Sequence, residues 1–165
     1  MGSTHKTEIN WHFETLPKVT KEALDFLSTQ KWLEQSAWYL AGGTALALYE
    51  GHRTSLDLDF FYGKRNFNLK RLLSHLDNEQ WTIEVAEEGT VYTSFRQAKV
   101  SFIAYPFFVP KLPFDHYDAI SLIQPKDIAV MKIIAISQRG RKRDFVDLYW
   151  HVKKHEPVGD VLLRL

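Results

Sequence analysis

Asp57 and Asp59 stand two residues apart in SLDLDFFY, the stretch from Ser55 to Tyr62, whose alternation and aromatic ending predict a β-strand. Residues i and i+2 of a strand project from one face, so the two carboxylates lie side by side, close enough to share a hard divalent cation. An isolated acid-x-acid pair also occurs on solvated strand faces, and the glycines upstream give this one its weight. Gly42-Gly43-Thr44 follows the apolar run Trp38-Tyr39-Leu40-Ala41, which predicts a short buried strand. It opens the alanine- and leucine-rich stretch Thr44 to Tyr49, predicted as a helix that Gly51 stops. Such a turn presents backbone N–H groups with no obstructing Cβ, and a hydroxyl, at the positive end of a helix, where a triphosphate can be held. Phosphoryl transfer needs phosphates cradled while metal ions neutralise charge on the attacking and leaving oxygens, so the two elements are complementary.

Thirteen residues separate Gly43 from Asp57, room for one short helix and a turn. Glycine pair, helix-length spacer and acid-x-acid strand together resemble the pattern of the polymerase-β-like nucleotidyltransferase superfamily. Among its branches the chain most resembles the AbiEii type of abortive-infection toxin, recognised by GGTALAL followed by HRxSxDLDFF. Gly42 to Leu48 match the first motif, and His52, Arg53, Ser55, Asp57, Leu58, Asp59, Phe60 and Phe61 the second. The segment DIAVMKIIAISQRGRKRDFVDLYW, Asp127 to Trp150, is similar to a later signature of that family.

The resemblance implies an α+β fold, a mixed sheet flanked by helices with a C-terminal helical part. It implies that Gly42, Gly43 and Thr44 contact nucleotide phosphates, with Arg53 and Ser55 beside them, and that Asp57 and Asp59 hold Mg2+ or Mn2+. Lys132 and Asp144 match the family's downstream functional positions. The implied activity moves a nucleoside monophosphate from a nucleoside triphosphate to an acceptor hydroxyl on RNA or protein. The implied setting is a toxin with a cognate antitoxin, or a phage-defence system.

Taken by themselves, several of these residues keep two readings. Lys132 shares its predicted helix face with Ile128, Met131, Ala135 and Arg139, and an ammonium on so apolar a stripe needs a partner. A bound phosphate is one; Asp127 or Asp144 is another. Asp144 and Asp147 lie i, i+3 and can pair with the RGRKR turn, which is either a solvated connector or a grip on an RNA backbone. Arg53 and His52 either touch phosphate or anchor the turn before the strand. The neighbouring strand KVSFIAYPF carries no acid to complete a two-metal site: Ser101 takes the equivalent position, and Glu84 or Glu87 would have to substitute. That gap sustains an alternative, a catalytically weakened nucleotide- or RNA-binding module or a subunit of a defence complex. The seven histidines are taken as scattered, with no histidine-based metal site expected. Tyr105, Phe107, Phe108, Phe114 and Tyr117 are expected to pack in the core and around the prolines rather than to stack bases.

The remaining elements must position these residues. Thr20 to about Gln35 predicts an amphipathic helix, Leu69 to Leu76 a short one, and Trp81–Val85, Val91–Phe95 and Val100–Phe107 three further strands that form a meander beside the first two. Pro106, Pro110 and Pro113 predict a crossing without helix, and Pro125 and Asp127 the start of a helix to about Gln138. Phe145, Leu148, Tyr149 and Val152 predict the buried face of a last helix, Arg143 to Lys154.

The chain of 165 residues suits one domain, with a catalytic sheet core over about 20–108 and a helical subregion over about 115–165. With 45% hydrophobic and 25% charged residues it is neither disordered nor fibrous. A formal charge of +1 supplies no global field toward nucleic acid or anionic lipid. The absence of cysteine excludes disulfides and thiolate chemistry. MGSTHKTEIN carries no apolar signal-peptide core, and no run approaches the ~20 apolar residues of a membrane span, so a cytoplasmic location is expected.

Overall fold

A computed structural model describes residues 8–165; residues 1–7, most of the stretch read for a signal peptide, lie outside the described residues. Seven strands form one mixed sheet in the order β3-β4-β5-β2-β1-β7-β6. They are β1 (Tyr39–Ala41), β2 (Leu58–Tyr62), β3 (Trp81–Glu87), β4 (Thr90–Phe95), β5 (Ala98–Ala104), β6 (Asp115–Tyr117) and β7 (Ile120–Leu122). The helices are α1 (Lys18–Ser28), α2 (Lys31–Glu34), α3 (Gly42–Glu50), α4 (Leu69–His75), α5 (Pro125–Arg139), α6 (Lys142–Lys154) and α7 (Val158–Leu162). No helix among the described residues is long and apolar enough to cross a membrane.

The sheet divides its two faces by residue parity. Leu58 and Phe60 of β2, Val100 and Phe102 of β5, and Val91 and Phe95 of β4 point into an apolar core in which the Phe60 and Phe102 rings stack. The alternate residues, Asp59 and Phe61, Ser101 and Ile103, and Tyr92, face a cavity. β1 pairs antiparallel with β2, setting Ala41 opposite Asp59, and β2 pairs parallel with β5, setting Asp59 opposite Ser101. The expected meander is present as β3-β4-β5 beside β2.

Three elements depart from expectation. The helix expected over Thr20 to Gln35 is divided, because Thr29 Oγ1 and Gln30 Nε2 both donate to the Phe26 carbonyl, capping α1 before α2 begins. After the proline segment the chain forms a hairpin, β6–β7, with Asp118 at φ 47° in its two-residue turn, and β7 adds to the sheet beside β1. The sheet therefore continues past residue 115.

The third departure is the largest. The apolar stripe of α6 is divided: Phe145 is 51% exposed and Tyr149 59%, whereas Leu148 and Val152 are partly buried against the core. The adjacent polar face, Asp144, Asp147 and His151, is fully buried. Hydrophobic periodicity misplaces the centre of the buried face because α6 docks through the charge pairs of Asp144 and Asp147 as well as through Leu148 and Val152. Phe145→Ser and Tyr149→Ser should each change unfolding free energy by only about 0.5 kcal/mol. Phe102→Ala, in the core, should cost about 3–5 kcal/mol; urea denaturation monitored by tryptophan fluorescence compares the three.

Candidate active site

The cavity encloses about 500 Å3, within the range of small-molecule sites. It gathers every residue singled out for chemistry: Gly42, Gly43, Thr44, Arg53, Ser55, Asp57, Asp59, Lys132 and Asp144 all line it. The structure adds Ser101, Tyr92 and Tyr105, and from the basic turn Arg139, Arg141 and Arg143. The RGRKR turn is thus part of the cavity wall.

The glycine turn is shaped by its neighbours. Gly42 has φ +74°, a left-handed conformation costly for any residue with a side chain, and a Cβ there would stand 3.1 Å from Asp59 Oδ2. At Gly43 a Cβ would stand 2.2 Å from the Arg53 guanidinium. The missing side chains therefore admit a carboxylate at one position and a guanidinium at the next. Thr44 Oγ1 is committed inside the protein: it is buried, hydrogen-bonded to Ser55 Oγ at 2.7 Å, and donates to the Asp57 carbonyl. Thr44 and Ser55 so fix the chain where Asp57 enters β2.

The acids at this cavity and behind its wall form two pairs with different partners. Asp147, buried on α6, accepts from Arg53 Nε at 2.6 Å and Nη2 at 2.8 Å, bonds His52 Nε2 at 2.7 Å, and lies 2.7 Å from Lys132 Nζ. Asp144 accepts from Lys132 Nζ at 2.9 Å and Arg139 Nε at 3.1 Å. Burial pushes both carboxyls up, but their hydrogen bonds and cations overcome it and hold both below the usual carboxylate range. The partner that Lys132 required is thus Asp144 together with Asp147. Asp127, the other candidate, instead accepts from the Lys111 and Leu112 backbone amides, tying the proline segment to the first turn of α5. Arg53 is anchored at the turn by its bidentate bond to Asp147. The available signal for Asp147 was its i, i+3 spacing from Asp144.

Asp57 and Asp59 are differently placed. Among the described residues no hydrogen bond or ion pair reaches the Asp59 carboxylate, and the cation nearest Asp57 is Arg143, 3.9 Å away. Burial, then the neighbouring Asp57 charge, push the Asp59 carboxyl up, with Lys132, Arg143 and Arg139 opposing. Two adjacent carboxylates with so little protein counter-charge fit a hard divalent cation. The third position is confirmed as neutral, since Ser101 is the register partner of Asp59 on β5. Glu84 and Glu87 do not substitute: they lie on β3 at the far edge of the sheet, with Glu84 accepting from Ser94.

Tyr105 packs edge-on against Phe61 and Phe107 at the cavity mouth, Phe108 is buried as expected, and Phe107 is 66% exposed rather than core. Phe114 is also partly exposed, stacked on Tyr39, while Tyr117 donates to Asp25.

Asp147 and Asp59 respond oppositely to pH. Asp147 has its folded pKa depressed, so its contribution is complete above the unfolded value of about 3.9 and is lost as pH falls through the folded one. Asp147→Ala, which strands buried cations, should cost about 3–5 kcal/mol at neutral pH in urea denaturation. Asp59 has its folded pKa raised, so its ionisation opposes folding at neutral pH and Asp59→Asn should raise the urea midpoint there. A lowered midpoint would contradict this account of the Asp59 environment.

Comparison with known proteins agrees with this geometry. A crystal structure of JHP933 from Helicobacter pylori superposes with a TM-score of 0.57 at 23% identity, covering 91% of this chain and 74% of that one. The Megavirus polyadenylate synthase gives 0.51 at 16% identity over 87% of this chain and 32% of that one. ANT(2")-Ia in complex with adenylyl-2"-tobramycin gives 0.61 at 7% identity over 86% and 92%. These likenesses establish the nucleotidyltransferase fold. A protein from Aquifex aeolicus (strain VF5), aq_aa25, is 37% identical over 123 residues, 72% of this chain, and the chain spans only 59% of that protein's length. Residues 25–164 match the family described as nucleotidyl transferase AbiEii toxin, Type IV TA system, and the chain belongs to that family.

Proposed function

We propose that this chain carries a metal-dependent nucleotidyl transfer site, in which an acceptor hydroxyl attacks the α-phosphorus of a nucleoside triphosphate. The new P–O bond forms as the α–β bridging P–O bond breaks, and pyrophosphate leaves. The observation that carries this reading is the Asp57–Asp59 carboxylates, met only by Arg143 at 3.9 Å from Asp57, beside the Gly42–Gly43 turn in one cavity with Arg141 and Arg143. Asp57 and Asp59 hold Mg2+ or Mn2+, which supplies charge neutralisation on the phosphate oxygens. Backbone N–H groups at the start of α3 hold phosphate at the positive helix end. Arg141 and Arg143, exposed at the rim, offset the triphosphate charge. Lys132 and Arg53, bonded to Asp144 and Asp147, position the wall of the site.

The family supports a toxin of a toxin–antitoxin system; RNA or protein is the acceptor, and a cognate antitoxin the partner, of this reading. Ser101 at the third acid position favours a second reading, a nucleotide-binding module with little turnover, because a neutral hydroxyl neither balances a second cation nor takes a proton readily.

The purified chain with Mg2+ and α-labelled triphosphates should transfer label to RNA or protein and release pyrophosphate. Asp57→Ala with Asp59→Ala should abolish both, with the fold checked by circular dichroism. Calorimetric binding of nucleotide without pyrophosphate release would select the binding module. Absence of both binding and transfer would overturn the nucleotide site itself.

A further inference from the structure

HVKKH sets His151 on the last turn of α6 and His155 at its C-terminal cap, four residues on, so the histidines are not all scattered. Glu50, the last residue of α3, meets them there. One nitrogen of each ring and one carboxylate oxygen of Glu50 lie within 4.8 Å of one another. His151 is fully buried, and its Nδ1 has no hydrogen-bond partner. Its Nε2 is bonded to Glu156 Oε1 at 2.7 Å, and Glu156 is itself clamped by both terminal nitrogens of Arg164, at 2.5 and 2.7 Å. An imidazole that donates through Nε2 to a fixed carboxylate keeps its lone pair on Nδ1, the arrangement by which outer carboxylates orient metal-binding histidines. A buried lone pair with nothing to accept is costly unless a ligand takes it.

We propose that Glu50, His151 through Nδ1, and His155 form a binding site for a borderline divalent transition metal such as Zn2+ or Co2+, remote from the nucleotide cavity. Two imidazoles and one carboxylate are the donor set such ions favour, whereas Mg2+ prefers oxygen alone. His155 Nε2 now bonds Glu50 Oε1 at 2.5 Å, and Lys154 holds the other oxygen at 2.9 Å. The metal replaces the proton between His155 and Glu50, which passes to solvent. Tetrahedral ligand atoms at zinc distances sit about 3.3 Å apart, so closure of the site requires rotation of the half-exposed His155. Partial exposure of His155 leaves the fourth position to water. The site pins the C-terminal end of α3 to that of α6, and α3 begins at the phosphate turn.

Titration of the full chain with Co2+, read by visible absorption, tests the site. Intense bands of a four- or five-coordinate site are expected, saturating at one Co2+ per chain in the Asp57→Ala, Asp59→Ala double variant, unchanged in intensity between it and the wild-type chain, and displaced by Zn2+ but not by Mg2+. His155→Gln, at a partly exposed position that the fold tolerates, should remove the bands, and Glu156→Gln should weaken affinity about tenfold. No such bands in the wild-type chain, or bands that persist in His155→Gln, would overturn the proposal.

Discussion

Asp147 is the charge around which this protein is arranged. A carboxylate taken wholly out of water is tolerated only where cations and hydrogen bonds replace its hydration, and His52 and Arg53 do so from the turn before β2 and Lys132 from α5. Each of those segments is thereby located. The turn before β2 is held to α6, α5 is held to α6, and Gly43 must lack a Cβ because the Arg53 guanidinium passes against it. The inward rotation of α6, with its aromatic stripe left to solvent, has the same cause. Several short charge-assisted bonds in a dry setting outweigh the apolar area that Phe145 and Tyr149 would bury.

Asp57 and Asp59 show the opposite design in the same cavity. Asp144 and Asp147 are matched by protein cations, whereas Asp57 and Asp59 are kept beside one another with little compensation, and Asp59 is harder to ionise as a result. Carboxylates left in that state oppose folding and favour a ligand of opposite charge, the usual conflict between stability and a working site. Thr44 and Ser55 stabilise the arrangement by gripping the backbone at Asp57 while leaving its carboxylate free.

Helix α3 joins the two ends of this design. Its first residue, Gly42, packs against Asp59, and its last, Glu50, packs against α6 about 12 Å away along the axis. A short helix fixed at both ends gives the phosphate turn a rigid support, which a site that must hold phosphates to fractions of an ångström requires.

Local chemistry made much of this legible in the sequence. Gly42-Gly43 between a buried strand and a helix, the i, i+2 spacing of Asp57 and Asp59, the αL stop at Gly51 and the absence of an acid near Ser101 depend only on neighbours along the chain, and each is where local rules put it. What tertiary structure decided was every choice between partners. Whether Lys132 meets a phosphate or an acid, whether Arg53 faces the cavity or Asp147, and which side of α6 turns inward depend on segments roughly 10 to 95 residues apart, brought together only by the sheet order and the packing of α5 on α6. A sequence states which groups carry charge; only the folded chain determines which of those charges are neutralised from within and which are left for a ligand.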